Sequence, residues 1–474
     1  MLSFMIAIIV LVLGYFTYGK FVERVFGADE HRPTPAVKMQ DGVDYVPMNW
    51  KQIFLIQFLN IAGLGPIFGA IMGALYGPAA FLWIVLGSIF AGAVHDYFSG
   101  MLSVRHKGES ISEIVGYYLG VPAQKVMRVF SVILLILVGT VFMTGPAGLL
   151  SSIKLFGIEN KNIWLAIIIV YYFLATIMPV DKIIGRIYPL FGAALLIMAV
   201  GIGSTMVIKG YQIPEITLTS MHPKGLPLWP MLFVTIACGA ISGFHATQSP
   251  MMARCITNEK YGRQVFYGAM IAEGIIALIW AAAAMTFFHG IPGLNEALGN
   301  GGAGAVVNTI SKSLLGPIGG LLAVLGVIAC PITSGDTAFR SARLVIADAL
   351  GFEQGKIKSR LLLALPLFAV GFALTRIDFN IVWRYFAWSN QTLAMIVLWA
   401  AAVYLASKAK LHWIATVPAT FMTAVSVTYI LMAPEGFRLP AAVAYPAGGG
   451  AALLAVILFM IKIRSGVTAL NQEA

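Results

Sequence analysis

Thirteen apolar runs, most near the roughly 20 residues that take a helix across a bilayer, follow one another along this chain. They fall at about 1–19, 53–75, 77–104, 127–152, 163–180, 188–208, 229–249, 265–289, 314–334, 359–378, 380–407, 411–432 and 441–463. The ninth is expected to continue as a helix through Asp348. At membrane depth the backbone has no water to bond, so each run must close its own hydrogen bonds as an α-helix. The pattern predicts an all-α, multi-pass membrane protein built as one domain, since no linker has room for a soluble one. A composition of 59% hydrophobic and 11% charged residues agrees. The first run lacks a basic leader and a small-residue cleavage site, so it reads as a retained span.

Loops assigned alternately to the two sides place Lys154, Lys161, Lys209, Lys224, Lys312, Arg376, Arg384 and Arg438 on one, and the other 23 of the 31 basic residues opposite. The richer side is cytoplasmic by the positive-inside rule, which sets the N-terminus outside and the C-terminus inside. One missed or invented crossing would invert every later loop, so the bias also checks the span count. The net charge of +11 is dispersed over short loops without a basic block, which excludes nucleic-acid binding. Cys238, Cys255 and Cys330 are too scattered for a disulfide framework or a zinc site.

Two of the runs are interrupted. In IAGLGPIFGA, Gly63 and Gly65 loosen the backbone, and Pro66 removes a donor and crowds the preceding turn. In ACGAISGFHATQSP, Gly239, Ser242, Gly243 and His245 fall mid-span, with Pro250 after them. Small residues also serve close helix packing, the competing explanation for either break alone. The two breaks are separated by five loops and so run in opposite directions, each opening a block of five spans. That is an inverted repeat of the LeuT type, at 53–208 and 229–407. One helix and a cytoplasmic loop precede it (1–52), and two peripheral C-terminal helices follow (411–474). Broken spans at a repeat interface are where secondary transporters hold substrates and coupling ions.

Few polar groups stand inside the spans. Ser242 and His245 lie beside backbone freed at the second break, and Thr247 and Gln248 follow within a turn as expected substrate contacts. His245 titrates nearest neutrality; a hydrogen-bonded structural histidine is its plainer reading. Glu273, in GAMIAEGIIALIW, has apolar neighbours on both sides, so it must face the interior, pair or carry a proton. His95 and Asp96 form either a proton relay or a helix-end hydrogen bond. As sequence neighbours they are expected on different helix faces, which argues against a shared metal. Asp336 either carries a proton or pairs with Arg340 four residues on. Thr333 and Ser334 resemble the oxygen ligands that LeuT-type proteins place on their eighth core helix for sodium. Ser389, Asn390, Gln391 and Thr392 cannot all face lipid, so some point into the bundle or a cavity. Trp383, Tyr385, Phe386 and Trp388 either line that cavity or anchor the interface.

The strings DGVDYVP (41–47), IAGLGPIFG (61–69), IFAGAVHDY (89–97), ACGAISGFHATQSP (237–250), TSGDTAFRSAR (333–343) and WSNQTLA (388–394) together resemble the carbon starvation protein A family, in its shorter form. Longer members carry further C-terminal segments. The resemblance implies an inner-membrane uptake system with a LeuT-like fold, associated with peptides during carbon limitation or with proton-coupled import of pyruvate. Its motifs single out Gly63, Gly65, Pro66, Asp96, Gly239, Ser242, Gly243, His245, Thr333, Asp336, Ser389, Asn390 and Gln391.

The expectation is a symporter without cofactor that works by alternating access, its substrate held between the two broken helices. Helix N-termini there would meet a substrate carboxylate. Protons are the first expectation for the coupling ion, through Glu273, Asp336, His245 or Asp96. Sodium at Thr333 and Ser334 is the second. The alternatives are an intramembrane enzyme using His245, Asp96 and Glu273, weakened by the lack of an HExxH or nucleophile motif, and a nutrient sensor.

Overall fold

The computed structural model describes residues 1–42, 44–177, 181–354 and 356–470. The expected end of the fifth span at 178–180 and the last four residues lie outside them. The described chain is helical throughout its spans: α1 Leu2–Phe26, α2 Trp50–Ile61 with Gly65–Tyr76, α3 Ala79–Arg105, α4 Val121–Ser152, α5 Lys161–Ile177 and α6 Asp181–Ile208. There follow α7 Leu228–Ala253, α8 Glu259–Phe287, α9 Ile291–Leu350, α10 Ile357–Leu374, α11 Phe379–Ser407, α12 Trp413–Met432 and α13 Ala441–Leu470.

Two boundaries differ from the sequence expectation. The helix of α1 does not stop near residue 19 but passes a distorted joint at Thr17 and ends at Phe26, where Gly27 takes a left-handed cap. The helix of α9 begins at Ile291 rather than 314. Its first part, kinked at Gly302 and Gly316, is too polar and glycine-rich to read as a crossing.

Both interrupted runs are broken helices. The helix of α2 unwinds at Ala62–Leu64, and its halves meet at a bend of 48°. The helix of α7 stops at Ile236 and resumes at Gly243. Between them Ala237 takes a positive φ of 39° and Ser242 is extended. Gly65, Gly69 and Gly73, four residues apart, form one smooth face on α2 that lies on Ile236–Cys238 of α7. A Cβ at Gly69 would stand 2.5 Å from the Ile236 carbonyl oxygen. This spacing brings the two broken helices into backbone contact. The part of Gly65 in this structure is therefore close packing, the alternative that the sequence left open.

Loops assigned to one side by charge do meet. Glu259, the first residue of α8, is fully buried and accepts two bonds from Arg105 at the end of α3, from Nε at 3.2 Å and Nη2 at 2.9 Å. Arg105 also donates to the Gly27 carbonyl and the Tyr404 hydroxyl and covers the Phe26 ring at 4.1 Å. Arg32 lies 3.8 Å from the same glutamate. On the opposite side the N-terminal ammonium meets Glu215, in the loop between α6 and α7, at 2.7 Å.

Candidate functional site

Three ionisable groups that the sequence scatters over 178 positions converge between α3, α7 and α8. Asp96 Oδ2 lies 2.8 Å from His245 Nδ1, and His245 Nε2 lies 3.3 Å from Glu273 Oε2. The other Asp96 oxygen, Oδ1, is 2.7 Å from His95 Nδ1. All four side chains are fully buried. The expectation that His95 and Asp96 diverge is corrected here. The carboxylate has two oxygens, and it turns one back to its neighbour's ring and the other forward to α7.

The proton positions follow from the contacts. An ionised Asp96 only accepts, so both imidazoles present Nδ1–H to it. That leaves His245 Nε2 as an acceptor facing a carboxylate, an arrangement that needs a proton on one of the two atoms. Without it two carboxylates would stand in an apolar interior with no cation between them, which is costly. His245 Nε2 and Glu273 Oε2, both buried, face each other at 3.3 Å with no other hydrogen-bond partner among the described residues. Their neighbours add support: Ser99 donates to the Asp96 carbonyl, and Ser249 donates to the His245 carbonyl. Five residues of wider π-helical winding, Ser88–Gly92, precede His95, and Arg263–Tyr267 does the same ahead of Glu273. Such turns recur at functional sites because they redirect the side chains that follow.

The second break is held open by side chains. Asn390 Oδ1 accepts from the Phe244 N–H at 2.8 Å and from the Ser242 hydroxyl at 3.0 Å. Gln391 donates to the Phe233 carbonyl, and Ser88 donates to the Gly239 carbonyl at 3.2 Å. Gly243 brings α7 so close to α11 that a Cβ would stand 2.5 Å from the Asn390 carbonyl oxygen. At the start of this half-helix the amide oxygen of Asn390 takes one N–H group, that of Phe244. Of the polar quartet on α11, Ser389 is buried and Thr392 bonds Ser426 of α12, so only Asn390 and Gln391 serve the break. Gln248 donates to Thr247 beside it. Trp383 and Phe386 are buried against Phe68 and each other, Trp388 donates to the Ser426 carbonyl, and Tyr385 bonds the Glu435 carbonyl.

The first break faces an aromatic ring. A Cβ on Gly63 would stand 3.1 Å from the tip of Phe142 on α4. Pro66 sits in the first turn of the resumed helix, where its missing N–H costs nothing. Asp336 pairs with Arg340 at 3.0 Å on α9, the structural option of its two readings. Thr333 donates to the Cys330 carbonyl, and Ser334 is buried one residue on. Sequence reasoning missed Ser88 and Phe142. A hydroxyl in the apolar run LGSIFAG was a signal for the first; one phenylalanine among 29 gave none for the second.

The architecture is that of LeuT-like transporters. A structure of a mutant Eremococcus coleocola manganese transporter superposes with a TM-score of 0.54 over 90% of this chain and 97% of that one, at 14% identity. The inward-facing conformation of Mhp1 gives 0.52 over 90% and 94%, at 15% identity. Such a bundle defines a multi-pass helical membrane protein of that fold. The family model described as carbon starvation protein CstA matches residues 1–153 and 151–312, and the chain belongs to that family. An uncharacterized membrane protein of Haemophilus influenzae is 45% identical over 352 residues, 64% of this chain and 95% of that one. A Campylobacter jejuni protein named peptide transporter CstA is 30% identical over 63% of this chain and 51% of its own length. An Escherichia coli protein named pyruvate/proton symporter BtsT is 27% identical over 60% and 48%. The chain thus spans about half the length of these last two.

Proposed function

We propose that the protein is a proton-coupled symporter that imports a small carboxylate such as pyruvate, or a short peptide, by alternating access. The observation that carries the reading is the contact of Asp96, His245 and Glu273, fully buried beside the second break. A proton held between His245 and Glu273 sets the charge of a site with no lysine or arginine in contact among the described residues, so binding an anion and binding a proton favour each other. Because His245 lies on the resumed half of α7, any movement of that broken helix shifts Nε2 against Glu273 and so gates the proton. The relatives named for peptides and for pyruvate with protons support a carboxylate-bearing substrate. The richer basic side is the cytoplasmic one in this reading, with the N-terminus outside.

Uptake into proteoliposomes of labelled pyruvate and of di- to tetrapeptides, with proton and sodium gradients imposed separately, tests it. Accumulation driven by an inward proton gradient alone is the expected result. Accumulation with sodium alone would move coupling to Thr333 and Ser334, and none under either gradient would remove the symporter reading altogether.

A further inference from the structure

The side chain facing the first break also reaches the second. Phe142, buried on α4, stands 3.1 Å from a Cβ position on Gly63, packs edge-on against Phe244 with ring centroids 6.1 Å apart, and lies 3.2 Å from a Cβ position on Gly335. The ring thus touches α2 at its break and α7 just after its break, while the base of the same side chain, its Cβ, rests against α9 at Gly335, two residues past Thr333. At the same point beside Gly335 ends the hydroxyl of Tyr172 on α5. Tyr172 is fully buried, and its hydroxyl has no hydrogen-bond partner among the described residues. A buried phenol without a partner is costly in a membrane interior, so its place calls for an acceptor.

The geometry points to Phe142 as the residue that fills the substrate's space when the transporter is empty, and to Tyr172 as the donor that meets a substrate oxygen when the ring turns aside. This rests on the carboxylate-transporter reading and names the parts that set its specificity. The ring's contacts limit the length of the acyl chain beside the carboxylate. The hydroxyl serves any substrate with a carboxylate or keto oxygen in reach, whatever its length.

Wild type, F142A, F142L and Y172F are reconstituted, and uptake of 2-oxo acids of three to six carbons is measured under an inward proton gradient. In wild type KM is expected to rise with chain length. F142A should lower KM for the six-carbon acid about tenfold relative to the three-carbon one, since a methylene in a hydrophobic pocket is worth about tenfold or more. Y172F should raise KM for every acid by about tenfold with Vmax and melting temperature unchanged, as expected for a lost bond to a charged group. Where F142A does not fold, F142L, which removes the ring but keeps an apolar side chain, carries the same comparison. An active wild type with unchanged KM ratios in the folded Phe142 variant, or unchanged KM in Y172F, overturns this inference and leaves proton coupling standing. A wild type inert toward every acid and peptide overturns the functional reading, and this one with it.

Discussion

Two buried carboxylate clusters in this protein are built from opposite partners. At the ends of α3 and α11 Glu259 is matched by Arg105 and flanked by Arg32, cations that keep their charge at any physiological pH. In the centre of the bundle Asp96 and Glu273 are matched only by His95 and His245, whose charge follows the proton. The first cluster is a fixed tie between α3, the start of α8 and the end of α11. The second is a variable one.

The largest expected effect breaks the fixed tie. Glu259→Ala leaves the half-buried Arg105 without its carboxylate, and unfolding in detergent should show a loss of about 3 kcal/mol, the low end for a broken buried pair, equal at pH 6 and pH 8. Equal stability of variant and wild type would erase the distinction between the clusters. Asn390→Ala removes the acceptor of two bonds at the second break and should cost about 1–3 kcal/mol, read as a lowered melting temperature with reduced uptake. Glu273→Gln keeps the shape of the variable cluster but cannot exchange a proton, so stability should move by less than about 1 kcal/mol while proton-driven accumulation is lost and substrate exchange at equilibrium persists. Unchanged pH dependence of uptake in that variant would take Glu273 out of the coupling.

The smallest effect concerns the N-terminus. Bonds from the terminal ammonium and from Ser3 hold the Glu215 carboxyl down at about 2. A lowered folded value means that the tie is in place above the ordinary carboxylate range and is lost only as pH falls through about 2. Deuterium exchange at residues 213–216 should thus be flat between pH 5 and 8 once intrinsic rates are removed, and should rise across that whole range in Glu215→Gln.

The sequence was most informative where a single helix carries the signal. Apolar run lengths located the spans, and the glycines with Pro66 located both breaks within a few residues. Glu273 was legible as a group that needed a partner, because nothing within four positions offered one. Its partner was not legible, since meeting His245 depends on the rotation of two helices and a one-residue error turns a side chain by about 100°. Asn390 stood out as polar, but its bond to the Phe244 N–H joins positions 146 residues apart. For Phe142 the sequence held no mark at all, because an aromatic residue in an apolar span looks the same in a lipid-facing position and between two breaks.

The glycine face of α2 carries one more consequence. With Gly69 against the Ile236 carbonyl, Gly65 against the Cys238 side chain and Gly73 against the Ile236 side chain, the two broken helices meet with no side chain on the α2 face. Contacts this close favour the two broken helices moving as one body. In the proposed alternating-access cycle that body would swing as a unit against α4 and α9, and Gly69→Ala, whose Cβ would stand 2.5 Å from the Ile236 carbonyl oxygen, would obstruct it at the pivot.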